Sequence, residues 1–455
     1  AFGSQALSTD TKGSKSVAIG HDALKNQNFT TATDSFNTAV GYDAGVSVTT
    51  GTENTLIGGL SGDAITTGIR NVAVGSYALS TNVAGDQSVA VGHGALFSQN
   101  PSTNADMNNV AVGHDAGNAI TTGPKNVIVG ALAGDALTTG EMNVVMGNEA
   151  LSADTQGDKS VAIGASALKA QNFSTDTISH NTAVGTFAGT AVTTGVENTL
   201  VGSFAGDALT DADDNTAMGY QALTACTVGS RNVAIGSGSL FAANPASALT
   251  QDNTAIGFNS GAEITTGRYN TCLGNRAGLT LTTGDDNTLV GTGNNTSATG
   301  ANNQIVIGAG IAATGDNTFN FGKASNVVTN TFTSNASFSR SSDVHKKTNI
   351  EDDTLGLDFI NDLRTVTFNW KPNSEFPEHY KDYHPTKNMM ETDIKLHGMV
   401  AQEVKAALDK AGVDTFGGWS EEEDGSQRIS QEMFIHPLIK AIQELTARVK
   451  ELEDA

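Results

Sequence analysis

The sequence predicts an all-β parallel β-solenoid (β-roll) whose chains associate as trimers, followed by a small α+β domain ending in a coiled-coil helix. Three observations predict it. A short β-like phrase closes on glycine at fixed intervals over the first three quarters of the chain. Composition changes abruptly near residue 341. The last twenty residues carry an apolar heptad.

The phrase reads SVAIG at 16–20, NTAVG at 37–41, NTLIG at 54–58, NVAVG at 71–75 and SVAVG at 88–92. It alternates small or β-branched residues with apolar ones, as a short strand requires. The spacings of its closing glycines run 21, 17, 17 and 17, four times over, so Gly20, Gly92, Gly164, Gly236 and Gly308 are each separated by 72. Fixed self-similarity of this kind signals a repeat architecture. The closing glycine suits a corner with positive φ or a close approach. A second corner often reads TTG, as at Thr49–Gly51 and Thr121–Gly123. One unit is therefore strand, corner, short strand, corner. Asn or Ser stands four residues before the glycine in 16 of the 17 phrases, with Gln304 the exception; stacked asparagines are expected to form an amide ladder. Gly3 extends the series, which leads us to expect that the chain starts inside a coil of a longer protein. At roughly 4.8 Å per coil the repeats predict a rod about 80 Å long.

Every fourth coil has four extra residues, and these segments alternate: KNQNF at 25–29, FSQNP at 97–101, KAQNF at 169–173, FAANP at 241–245. We expect outward loops here, with Phe29, Phe97, Asn100, Phe173, Phe241 and Asn244 as candidate receptor contacts, since loops on a rigid scaffold often carry recognition. Asp63, Asp135 and Asp207 recur once per super-repeat and read as surface solvation. A thin coil poor in large apolar residues is more stable with partner chains against one face, hence the expected homotrimer.

Composition separates this rod from the rest. Residues 1–340 hold 25 acidic and 12 basic residues and 45 of the 51 glycines; residues 341–455 hold 23 and 13, with both tryptophans, Trp370 and Trp419. The domains expected are a shaft over 1–322, a β-rich neck over 323–340 and a C-terminal domain over 341–455. The net charge of −23 argues against nucleic acid and anionic membranes as partners. No apolar run approaches the roughly 18 residues that span a bilayer. Cys226 and Cys272 are too few for a disulfide framework or thiolate metal site. No cofactor or metal is expected, because no ligand cluster, phosphate loop or carboxylate pair stands at fixed spacing.

In the C-terminal domain, Asp353 or Thr354 is the expected cap of a helix carrying Leu357, Ile360 and Leu363. Val366, Phe368 and Trp370 alternate as a strand. His397–Lys410 reads as a helix ending at Gly412. The last segment places Ile435, Ile442 and Val449 at a positions and Leu438, Leu445 and Leu452 at d, with Arg448 at g and Glu453 at e. Such a seam by itself favours parallel dimers; the solenoid overrules it in favour of three chains.

Two resemblances follow from these motifs. The SVAIG-type phrase resembles the head repeats of trimeric autotransporter adhesins and NTAVGYxA repeats of phage tail fibres, which implies a trimer of left-handed β-rolls. SSDVHKKTNI (341–350), GLDFINDLRTVTFNWKP (356–372), HGMVAQEV (397–404) and PLIKAIQEL (437–445) resemble the intramolecular chaperone domain of endosialidase and of phage tail fibres and spikes. That resemblance implies a C-terminal domain that templates trimerisation and then cleaves itself off with a Ser–Lys dyad. It makes Ser342 the nucleophile, Lys347 the general base and Ser341–Ser342 the cleaved bond. A lysine serves as base if burial makes it neutral; His345 is the rival base, titrating near neutral pH.

The function implied is a virion tail fibre or spike, folded in the host cytoplasm. Its partners would be a host-surface receptor, with a glycan as one candidate class, and the upstream fibre and virion tail. Its enzymology would be a single self-cleavage. Three alternatives are weighed. A bacterial trimeric surface adhesin calls for a β-barrel anchor in place of a chaperone. An ice-binding solenoid calls for an unbroken threonine array, but the TTG corners are interrupted. A glycan-cleaving enzyme calls for an acid pair, and none is evident.

Overall fold

The computed structural model describes residues 1–455 except 248, 325, 334–338, 341, 389 and 391. The chain divides into two compact units, Ala1–Ser341 and Ser342–Ala455.

The first unit is a parallel β-solenoid of about 18 turns. Three-residue strands stack in register from coil to coil. Val17–Ile19 pairs with Thr38–Val40, which pairs with Thr55–Ile57, then Val72–Val74, and the ladder continues to Thr318–Lys323. The middle residue of each phrase points inward and is fully buried, as with Ala18, Ala39, Leu56 and Ala73, while its neighbours face outward. The glycine spacing is thus the perimeter of one coil. The last coil is shorter, with Gly308 already in register with Gly322. There Asn326–Thr331 turns back antiparallel on Thr318–Lys323 and closes the ladder.

Two features of each phrase have a direct physical cause. The closing glycine Gly20 sits at φ +135°, and an added Cβ there would lie 2.2 Å from the Gly41 carbonyl oxygen of the next coil. Both the conformation and the close approach exclude a side chain. The asparagines form the expected ladder. Asn54 donates its backbone N–H to Asn37 Oδ1 (2.9 Å) and its Nδ2 to the Gly68 carbonyl (2.9 Å); Asn71 repeats this with Asn54 Oδ1 and Gly85. Buried corner amides are thereby satisfied without water.

At one corner of each coil the core follows a rule: of two inward places, only one holds a large apolar side chain. From Gly20 to Gly274, four residues after the closing glycine stands either Leu, as at Leu24, Leu79, Leu96, Leu151 and Leu168, or Gly, as at Gly45, Gly62, Gly117 and Gly134. Where it is Gly, the residue three further on is bulky: Val48, Ile65, Ile120, Leu137. Where it is Leu, that place holds a buried amide or carboxylate, as at Gln27, Asn82, Gln99, Asp154 and Gln171, or a small Cys226 or Ala243. An added Cβ at Gly117 would meet Ile120 and Ile128 at 3.0 Å, so the coil lacks room for both.

The longer coils differ from expectation. Their extra residues run back onto the preceding coil as a second short parallel ladder. Gly13–Ser14 pairs with Thr33–Asp34, Gly85–Asp86 with Ala105–Asp106, Gly157–Asp158 with Thr177–Ile178, and Gly229–Ser230 with Leu249–Thr250. Phe29 and Phe173 turn inward and are only 6% and 4% exposed. Asp63 is likewise half-buried, hydrogen-bonded to Ser80 Oγ at 2.5 Å, and Asp207 is bonded to Thr224 in the same way. These aspartates brace the next coil; they are not simply solvated.

In the second unit, α1 (Leu357–Asp362), α2 (Ala401–Ala411) and α3 (Ile435–Glu453) pack with two antiparallel strand pairs, Val366–Phe368 with Leu396–Gly398 and Trp419–Glu421 with Gln427–Ile429. Leu355, Phe359, Val404, Ala407, Leu408 and Phe434 form the core. Two expectations shift here. His397 is in a strand, and α2 begins only at Ala401. Neither Asp353 nor Thr354 caps α1: the N-cap residue is Gly356, and the Leu357 N–H donates to Glu444 Oε2 of α3 at 2.8 Å. A carboxylate is favourable at a helix N-terminus, and tertiary structure supplies it. Gly412 ends α2 in the left-handed conformation (φ 72°), as its sequence position suggests.

Candidate functional site

Ser342 and Lys347 are brought together at the start of the second unit. Asp343 opens a one-turn 3-10 helix, Val344–Lys346, by accepting the His345 backbone N–H at 2.8 Å. That turn folds the chain back so that Lys347 Nζ donates to Ser342 Oγ at 2.6 Å. A single turn thus suffices to build the pair, and the capping Asp343 is what bends it. His345 points elsewhere: its Nδ1 lies 2.8 Å from Asp343 Oδ1 and its side chain is 89% exposed. The hydrogen bonds from His345 hold the Asp343 carboxyl below its usual range, with a smaller contribution from Lys346. The geometry therefore joins the serine to the lysine and gives the histidine to the aspartate. Ser341 lies outside the described residues. All of Ser342–Ile350 is solvent-exposed in the single chain.

The heptad residues occupy one face of α3. Ile435, Leu438, Ile442, Leu445, Val449 and Leu452 are 45–79% exposed, and Ile439 beside them is 49% exposed. The opposite face is spoken for within the chain, with Pro437 and Ala441 buried and Glu444 bound to the start of α1. Next to Leu438 opens a groove of about 820 Å³ lined by Ile360, Leu363, Val366, Met399 and Phe434. A single chain thus carries a large unpaired apolar stripe, which soluble monomers rarely expose.

Of the expected receptor contacts on the shaft, Phe241 is 42% exposed, Phe97 is partly exposed, and Asn100 and Asn244 are exposed. Asn244 Oδ1 accepts from Thr227 Oγ1 (2.9 Å), and Phe97 lies edge-on to Tyr77. Phe29 and Phe173 are removed from this set by their burial. The reason is that the extra segment folds onto the coil, where an aromatic ring fills space that Pro101 and Pro245 fill in the alternate repeats.

Sequence reasoning missed stacked rings at the corner after several of the strands. His21 stacks on Tyr42 (centroids 5.5 Å apart), His93 on His114 (5.3 Å) and Phe187 on Phe204 (5.3 Å). The partners in each pair are a full coil apart along the chain, and only stacking makes them neighbours. The two cysteines are buried core residues: burial pushes the Cys226 thiol up to about 11 and the Cys272 thiol to about 12, so neither supplies a thiolate at neutral pH.

No helix is long and apolar enough to cross a membrane among the described residues. Comparison with curated proteins and with solved structures returns no match. Residues 342–413, from Ser342 to two residues past the end of α2, match the family model described as chaperone of endosialidase.

Proposed function

We propose that this chain is part of a homotrimeric virion tail fibre or spike. Its solenoid is a shaft that carries host-contact surfaces, and its C-terminal unit templates trimerisation and is then released by cutting Ser341–Ser342. The single observation that carries the reading is the 2.6 Å contact from Lys347 Nζ to Ser342 Oγ, standing at the first residue of the family match. Support for the trimer comes from the exposed α3 stripe. A parallel ladder built from contacts between coils is slow to nucleate and exposes strand edges. A helical bundle that holds three chains in register lowers that cost.

The chemistry is an acyl transfer followed by hydrolysis. Neutral Lys347 takes the Ser342 hydroxyl proton as Oγ attacks the carbonyl carbon of residue 341. The C–N bond to Ser342 breaks, and the proton passes to the departing amine. Water then hydrolyses the resulting ester, regenerating the hydroxyl. In this reading cleavage follows assembly, when a neighbouring chain would cover the exposed Ser342–Lys347 pair and desolvation would favour an amine base over an ammonium. Release of the chaperone would then report that assembly is complete.

The test is intact-mass analysis of the purified chain together with Ser342→Ala, Lys347→Ala and His345→Ala variants, each sized for oligomeric state. We expect wild type and His345→Ala to yield a fragment ending at Ser341 in the trimeric fraction. Ser342→Ala and Lys347→Ala should stay full length yet trimeric. Trimeric wild type that never cleaves would sink the proteolysis; a chain that stays monomeric would sink the templating role.

A further inference from the structure

We propose that His93, His114 and Asp115 form a binding site for a divalent transition-metal ion on the surface of the solenoid. The donor atoms of the three residues lie within 4.8 Å of one another. His114 Nδ1 is 3.3 Å from Asp115 Oδ2, and His93 Nδ1 is 3.8 Å from Asp115 Oδ1. Donors sharing a tetrahedral zinc-like ion at about 2.0–2.2 Å sit roughly 3.3 Å apart. One pair is already at that spacing, and the other two, within 4.8 Å, reach it by small rotations of exposed rings.

The surroundings hold this arrangement in place. Gly92 and Gly113 put the two histidines at the same corner of successive coils, so their rings stack at 5.3 Å with 11° between planes. Tyr77 packs edge-on against the other face of His93. Asn118 Nδ2 donates to Asp115 Oδ1 at 3.2 Å and fixes the carboxylate, the kind of outer partner that orients metal ligands. Gly94 makes room for it, since an added Cβ there would lie 2.1 Å from Asp115 Oδ1.

The same corner one super-repeat earlier carries His21, Asp22 and Asp43, again with donor atoms within 4.8 Å. There Asp22 Oδ1 and Asp43 Oδ1 are shielded from solvent and have no hydrogen-bond partner among the described residues. Two imidazoles and one carboxylate suit zinc, nickel or cobalt, whereas calcium and magnesium prefer all-oxygen sets. The His93 site, with two nitrogens, is the tighter of the pair.

The experiment is zinc titration by calorimetry on the tag-free, full-length assembled protein, with cobalt absorption as a second probe of coordination. We expect one tight zinc per chain and a tetrahedral cobalt spectrum. Loss of an outer partner costs about ten- to a hundredfold in affinity, so Asn118→Ala should weaken the tight event by roughly tenfold. His93→Ala and His114→Ala should weaken it at least as much. His180→Ala, an exposed histidine elsewhere on the shaft, should leave it unchanged, and excess magnesium should not compete. Circular dichroism and sizing establish that each variant is folded and assembled. Absence of a tight event in wild type, or one that survives both His93→Ala and His114→Ala, overturns the proposal. So does one abolished by His21→Ala.

Discussion

Buried amides do at single positions what water would otherwise have to do inside a coil this thin. Where the ladder residue is Ser instead of Asn, as at Ser88 and Ser160, the next coil brings in a glutamine, here Gln99 or Gln171. Each donates to its serine (3.1 and 2.8 Å) and accepts the following asparagine's Nδ2, from Asn109 or Asn181, at 2.9 Å. In the fourth super-repeat the Gln place holds Ala243, and Gln251 reaches Asn232 Nδ2 instead at 3.3 Å. Asp154 extends this network as a fully buried carboxyl accepting from Gln171 Nε2 at 2.6 Å and Gly157 N–H at 3.0 Å. Burial raises its pKa despite these bonds. The folded state therefore favours the neutral acid, and stability is lost as pH rises from the unfolded value through the raised folded one. Asn occupies the equivalent place at Asn82 and bonds Gly85 in the same way. Asp154→Asn should raise the melting temperature at pH 7 by roughly 2 °C or more and change nothing at pH 3; thermal melts at both values check it. An equal shift at the two pH values would assign the effect to something other than the charge.

At the scale of one coil, the determinant is volume. Beside the inward residue of the strand, a turn this short has room at its corner for one large apolar side chain, drawn from either of two inward places, and the sequence alternates two coils of each kind. Filling both places overpacks the turn. Gly117→Leu should destabilise the shaft by about 1–3 kcal/mol, with Ile120 and Ile128 the obstructing neighbours. Adding Ile120→Gln, which converts the coil to the other kind, should recover much of that loss. Denaturant melts of both singles and the double give the coupling energy; strict additivity would refute the rule that only one of the two corner places is filled. The helices of the C-terminal unit obey a different logic. Phe359, Phe416 and Phe434 pack ring to ring with centroids 5.1–6.3 Å apart, and α1 takes its N-terminal partner from α3. That distant Glu444 is invisible in the residues around α1.

For the whole molecule, the exposed stripe of α3 is the feature that supports the proposed association of chains. Ile442, at the middle of the stripe, is 63% exposed and makes no contribution to the unit's own core. Ile442→Asp should leave the C-terminal unit folded but shift the protein from the proposed trimer to monomer, with soluble yield of the shaft falling several-fold. Light scattering on the soluble fraction checks the first effect and quantitation of total against soluble chain the second. A variant that remains trimeric would place the templating contacts elsewhere. If cleavage follows assembly as proposed, the same variant should also abolish the fragment ending at Ser341.

The solenoid was legible because repetition is a one-dimensional property. Closing glycines at two fixed spacings state the perimeter of a coil directly, and the asparagine of each phrase states the ladder. The pairing of Ser342 with Lys347 was suggested by a motif resemblance, and the short segment between them needed only the turn capped by Asp343 to close it. What escaped the sequence depends on which way a segment folds or on which coils stack. The four extra residues fold inward, burying Phe29 and Phe173, because a backbone ladder with Gly157–Asp158 and its counterparts satisfies more amides than an outward loop would. His93 and His114 meet only because the longer perimeter returns the chain to the same corner one strand spacing away. By itself the sequence determined the period, the inward residues and the ladder, since each is a pattern along the chain. Tertiary structure alone decided which surfaces those coils present, because neighbours there are set by stacking and packing, which join residues far apart in the chain.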